Sequence, residues 1–211
     1  MNILLFVLIL SGAAFAYSND APYESTYKPL PYTNTIFRNA NIYDGDGNEF
    51  QNTDLFIRDG KIIAIGKDLP GSSDFIEIDA SNKWITPGII DIHSHMGVYP
   101  APSVRTSSDG NEATSPVTAD VWAEHSIWVQ DPQFALALKG GVTTFHVLPG
   151  SANLIGGRGV TAKNLQRNTI NSMKYPNAPH SLKMACGENP KRVYGNRNQA
   201  PSTRMGNIAG Y

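Results

Sequence analysis

The chain has a single cysteine, Cys186, among its 211 residues. No internal disulfide is available, so packing, hydrogen bonding or a metal must hold the fold together. Charge of either sign is sparse: 17 Lys and Arg face 18 Asp and Glu, for a formal net charge of -1. That near balance leaves no basic footprint for nucleic acid or an anionic membrane. No internal repeat is visible, which sets a repeat architecture aside. Long apolar runs are missing as well. The longest opens the chain, in "MNILLFVLILSGAAFA", and is too short to span a bilayer. It ends in Ala14-Phe15-Ala16, an A-x-A cleavage pattern. Residues 1–16 therefore read as an export leader cleaved after Ala16, despite a weak positive n-region. An uncleaved anchor is the alternative. With no cysteine near the cleavage point, a lipid anchor is not expected.

What is present is ordinary globular composition, with 41% hydrophobic residues. Residues 17–32, "YSNDAPYESTYKPLPY", are polar and proline-bearing and read as a linker. Residues 33–85 carry short alternating segments broken by Asp44-Gly45-Asp46-Gly47 and by Asp59-Gly60, a strong hairpin signal. They predict a small antiparallel β unit. From residue 86 to 211 the pattern changes. "WITPGIIDIHSH" is almost continuously apolar up to Asp91, as in a strand buried on both faces of a parallel sheet. A Pro-, Ser- and Gly-rich loop follows over residues 100–118. "TADVWAEHSIWVQDPQFALALKGG" reads as helical, with a break or restart at Pro132 and a stop at Gly140-Gly141. "VTTFHVLPG" is a second buried strand, "GSANLIGGRG" a glycine-rich loop, and "SLKMACGENP" a third strand. Strand, helix, strand, connection, strand is the opening of an α/β fold.

His93 and His95 lie two apart at the end of the first of these strands. Alternate strand residues project to the same side, so both imidazoles point together. Neutral imidazoles converging there can take two positions around one divalent metal, about 2.0–2.1 Å away for zinc. Iron, nickel or copper suits the same donors. Alone, the pair is a weak motif, since strand histidines are often satisfied by backbone or solvent. Asp91 shares their parity one step deeper and is a candidate to orient the site by hydrogen bonding, or a plain structural aspartate. Arg158, in the glycine-rich loop, has the fork to bind a substrate carboxylate, or is a surface arginine. The loose G-x-G-x-x-A at Gly157, Gly159 and Ala162 opens no clean helix, so nucleotide binding is rejected. His125 and His180 read as surface or capping residues. His146 reads as a strand histidine that can face inward, and Cys186 as a small packed residue.

Taken together, "WITPGIIDIHSHMG", the "IRDGKIIAIG" hairpin and "LKGGVTTFHVLPGS" resemble the metal-dependent amidohydrolase superfamily, in its exported, imidazolonepropionase-like branch. The resemblance covers most of residues 35–190. It implies the start of a (β/α)8 barrel preceded by a small β domain, with the site at the C-terminal ends of the strands. It implies that His93 and His95 are the first two metal ligands. Some branches place a metal-binding glutamate at the end of barrel strand three, a position Glu188 resembles. Other branches use a carbamylated lysine, and Lys183 is the rival on that ground, although that lysine usually lies on strand four. The implied reaction is hydrolysis of a non-peptide or cyclic carbon–nitrogen bond in a small-molecule substrate, with zinc as the first expectation. A homo-oligomer is left open.

Further histidines and an aspartate on later barrel strands complete the site in that superfamily, and a whole barrel takes roughly 250 residues. Three barrel strands are visible here. The expectation is a piece of a longer reading frame or a truncation, poorly stable and inactive alone. The competing functions are a non-catalytic truncated homologue and an Xaa-Pro-type dipeptidase.

Overall fold

The computed structural model describes residues 23–211. The leader reading of residues 1–16 and the first part of the linker lie outside the described residues.

The N-terminal sheet is built from its turns. Strands β1 (Thr35–Tyr43), β2 (Glu49–Arg58) and β3 (Lys61–Gly66) form an antiparallel meander. Between β1 and β2, the Asp44 carboxylate accepts the backbone N–H groups of Asp46 (2.8 Å) and Asn48 (3.1 Å). Between β2 and β3, Asp59 and Gly60 both take positive φ, 50° and 71°. A two-residue hairpin needs that geometry, because its twist matches that of the strands it joins. The expectation of an all-antiparallel unit fails at the other edge. Strands β4 (Ile76–Asp79) and β5 (Trp84–Ile85) both pair with β1 in parallel. Beyond β3 the chain crosses back to the far side of β1, and Arg38 fastens that crossing. Its guanidinium donates to Asp54 (2.7 Å), to the Leu69 carbonyl (2.6 Å) and to Glu77 (2.7 Å). The apolar face, Ala40, Ile42, Leu55 and Ala80, packs with Phe37, Phe50 and Ile57.

The second region begins with β6 (Ile89–Ser94), which pairs in parallel with β7 (Val142–Val147). Between them lies α1 (Pro132–Lys139), completing a β-α-β unit. The helical reading was too long. Residues 123–125 make a 3-10 turn, and the α-helix starts at Pro132, where the missing N–H costs nothing. Asp131 caps it by accepting the Gln133 N–H. Phe134 of α1 stacks on Phe145 of β7 at 5.1 Å, in a core with Val98, Val147, Val160 and Met173.

Three further expectations are corrected. β6 is not buried on both faces: Ile90 and Ile92 are 63% and 77% exposed. The glycine-rich loop keeps its first half, but its second half is strand, β8 (Ile155–Arg158), and β9 (Val160–Lys163) follows one residue later. β9 runs antiparallel on the edge of β7, and β10 (Leu182–Met184) pairs antiparallel with β8. The third strand therefore does not lie in a parallel ladder beside β7. Helices α2 (Glu188–Gly195) and α3 (Arg204–Gly210) follow. The whole is a mixed α/β fold.

The described part of the expected linker is also docked. Thr26 N–H donates to the Asn171 carbonyl (2.9 Å), and the Ser25 hydroxyl to that of Lys174 (2.8 Å). Beneath it Lys174 and Glu124, both buried, form an ion pair at 2.8 Å. The contact is ionic rather than a well-aligned hydrogen bond, and among the described residues neither Glu124 oxygen has a hydrogen-bond donor.

Candidate functional site

His93 and His95 leave the C-terminal end of β6 with their rings 5.2 Å apart and nearly perpendicular, at 84°. His95 Nδ1 lies 2.9 Å from the Leu148 carbonyl. A carbonyl only accepts, so Nδ1 carries the proton and the Nε2 lone pair is left free in the neutral ring. Burial holds the His95 pKa below the ordinary histidine value, and the charges of Lys183 and His93 add to that. The neutral, ligand-ready form is therefore favoured. Asp91 accepts the backbone N–H of His93 (3.1 Å) and so fixes the Ile92–His93 peptide that leads into the pair.

The turn after the pair is pinned from α1. Asp131, buried, accepts the N–H of Gly97 (2.9 Å) and of Ala101 (3.3 Å) while it caps the helix. Tyr99 then stands edge-on to His95 at 5.7 Å and meets Asn111 through its hydroxyl. Burial raises the Tyr99 pKa, so the phenol stays protonated. Neither Tyr99 nor Asp131 was singled out from the sequence. A buried aspartate immediately before a proline that restarts a helix was the available signal.

The third group that the fold brings to the pair is Lys183. Its Nζ is 3.5 Å from His93 Nε2 and donates to the Pro149 carbonyl at 3.2 Å. The side chain is buried, and burial lowers its pKa. Glu188 is not brought there. β10 ends at Met184, and Glu188 opens α2 as an exposed residue. Asn207 of α3 holds the turn between them by donating to the carbonyls of Cys186 and Gly187, both at 3.0 Å. Among the described residues no three His, Cys, Asp or Glu side chains gather as a metal-ligating cluster.

The remaining candidates are placed elsewhere. Arg158 is a strand residue, not a loop residue. Its guanidinium sits 5.0 Å over the Trp122 ring, and its backbone N–H donates to Val121. His180 meets the same indole edge-on at 4.7 Å. His125 lies in the 3-10 turn against Tyr23. Cys186 is exposed, not packed. His146 is held on both sides, by the hydroxyls of Thr161 (2.9 Å) and Ser181 (2.6 Å).

A parallel β-α-β unit with paired histidines at a strand end and a buried lysine beside them defines an α/β domain with a cluster of nitrogen-bearing side chains. No protein-family profile matches the chain. Its similarity to single proteins is clear. It is 34% identical over 198 residues to the amidohydrolase tasK of Hapsidospora irregularis, covering 82% of this chain and 20% of that protein. The dihydroorotase of Ligilactobacillus salivarius is 44% identical over 63 residues, 29% of this chain and 14% of that protein. In structure, an amidohydrolase from Thermotoga maritima matches with a TM-score of 0.75 and 40% identity, over 83% of this chain and 45% of that one. The chain is similar to the N-terminal part of these amidohydrolase-superfamily proteins. It spans less than half the length of each of these relatives.

Proposed function

We propose that the protein is a metal-dependent hydrolase of carbon–nitrogen bonds in small molecules, and that His93, His95 and Lys183 begin its metal site. The observation that carries the reading is the meeting of three nitrogen-bearing side chains at one strand end, with Lys183 Nζ 3.5 Å from His93 Nε2. The names of the similar proteins, amidohydrolase and dihydroorotase, support the reaction class. The donor set fits a divalent metal. The Leu148 carbonyl takes the Nδ1 proton of His95 and frees Nε2, and the buried amine of Lys183 is biased toward its neutral form. When bound, such a metal lowers the pKa of water toward about 7 and polarises a carbonyl oxygen.

What the chain itself contributes is orientation. Asp91 fixes the backbone of His93, Leu148 fixes the tautomer of His95, and Asp131 holds the turn that carries Tyr99 over His95. Lys183 replaces Glu188 as the third group, as the free amine or as a carbamate. The barrel continuing from β6 and β7 and export directed by residues 1–16 belong to the same reading.

Elemental analysis of the purified protein tests it. Stoichiometric zinc or iron is expected, lost in His93→Ala/His95→Ala. Lys183→Met is expected to weaken metal affinity at least about tenfold, as loss of a ligand or its close support does, and Glu188→Gln to leave it unchanged. Wild-type protein without metal overturns the reading; loss of metal in Glu188→Gln restores Glu188 in place of Lys183.

A further inference from the structure

Lys183 stands beside His93 on a strand that no backbone ladder ties to the histidines. Among the described residues β10 pairs only with β8, and the free edge of β7 is taken by β9. The β10–β8 ladder sets Lys183 opposite Gly157 and reaches the histidines only indirectly, through Gly159 and the β9–β7 pairing, which leaves room for side chains to tie it to β7 directly.

The side chains around His146 do this. His146 projects from β7 between two hydroxyls. Thr161 of β9 meets Nδ1 at 2.9 Å, and Ser181, just before β10, meets Nε2 at 2.6 Å. Ser181 and Lys183 are two apart, so both leave the extended chain on the same face. The bridge at Ser181 therefore ties the segment two residues before the lysine directly to β7. Backbone contacts reinforce it where the strands approach. Gly159 N–H donates to the Ser181 carbonyl and His180 Nδ1 to the Gly159 carbonyl, both at 3.0 Å. The approach needs glycine: a Cβ on Gly159 would stand 2.6 Å from Ser181 Oγ and 2.8 Å from His146 Nε2. Both ring nitrogens of His146 are occupied by hydroxyls, so the ring is spoken for as a strut.

We propose that His146 is a positioning residue: clamped between Thr161 and Ser181, it fixes the segment that carries Lys183 and so presents Lys183 to His93. This rests on the reading that Lys183 belongs to the site.

The test is a brief acetic anhydride pulse on the metal-free protein, with acetylation of each lysine read by mass spectrometry. Lys174, buried against Glu124 and bridged to Ala162 of β9, reports loosening of the β9 side as a whole. Ser181→Ala and His146→Leu are each expected to raise Lys183 labelling about tenfold, as local opening does, with Lys174 unchanged. His146→Gln, whose amide can still meet both hydroxyls, is expected to return Lys183 labelling toward wild type. Unchanged Lys183 labelling in both variants overturns the proposal. So does an equal rise at Lys174, or a Gln variant that behaves like the Leu variant. Metal content of the same samples is a separate readout. A wild type without metal overturns the reading of function, whereas the labelling ratio alone decides the role of His146.

Discussion

The N-terminal sheet and the region that carries the site are held together by different means. In β1 to β5 nearly every contact of consequence is a backbone ladder or a turn closed within a few residues, with Arg38 and Asp54 together clasping the crossing. From β6 onward the ladders are short, and side chains far apart in sequence do the joining. Asp131 reaches the turn after the histidines, Asn153 gathers the loop at Glu112 and Ser115, and His146 reaches Ser181. Ladder contacts tolerate side-chain change, because the backbone supplies the partners. Bridged contacts do not, because removing one partner leaves the other buried and unpaired.

That contrast predicts an order of effects. The largest belongs to Lys174→Met, which leaves the Glu124 carboxylate buried without its counter-charge. A loss of about 3–5 kcal/mol is expected, read from urea midpoints, and a loss under about 1 kcal/mol would break the comparison. In the N-terminal sheet the most sensitive point is a turn. Gly60→Ala puts a side chain at φ 71° and against the Tyr32 ring, for a cost of about 1–2 kcal/mol. The smallest effect is a change with pH. Burial, with the charges of His180 and His93 adding, holds the His146 pKa below the ordinary histidine value. The unfolded chain then takes the proton first as pH falls. The contribution of neutral His146 is fully present above the ordinary histidine pKa and lost as pH drops through it toward the folded value. The fall in urea midpoint from about pH 7.5 to about pH 5.5 is expected to be shallower in His146→Gln; an equal slope would remove His146 from the cause.

Legibility in the sequence follows the same division. The Asp59-Gly60 hairpin, the common parity of Asp91, His93 and His95, the restart at Pro132 and the stop at Gly140 were all readable, because each is settled within a few residues. The glycines of "NLIGGRG" misled. Composition says loop, but Gly159 lies where strands meet too closely for a Cβ. The apolar run of β6 misled as well, since alternation and continuity report what a strand can bury and not what covers it. The docked segment at Ser25 and Thr26 was hidden by its polar, proline-bearing composition, and its partners lie about 150 residues away.

The choice between Glu188 and Lys183 shows where reading along the chain ends. Alternation within one strand determined by itself that His93 and His95 lie side by side, because backbone geometry fixes which neighbours share a face. Which side chain lies beside them depended on how β10 lies against strands with which it shares no local contact. In the structure Ser181 meets His146, Asn207 draws the turn at Gly187 toward α3, and Lys183 is buried beside His93. Such contacts form only when the whole domain closes, so tertiary structure alone could choose.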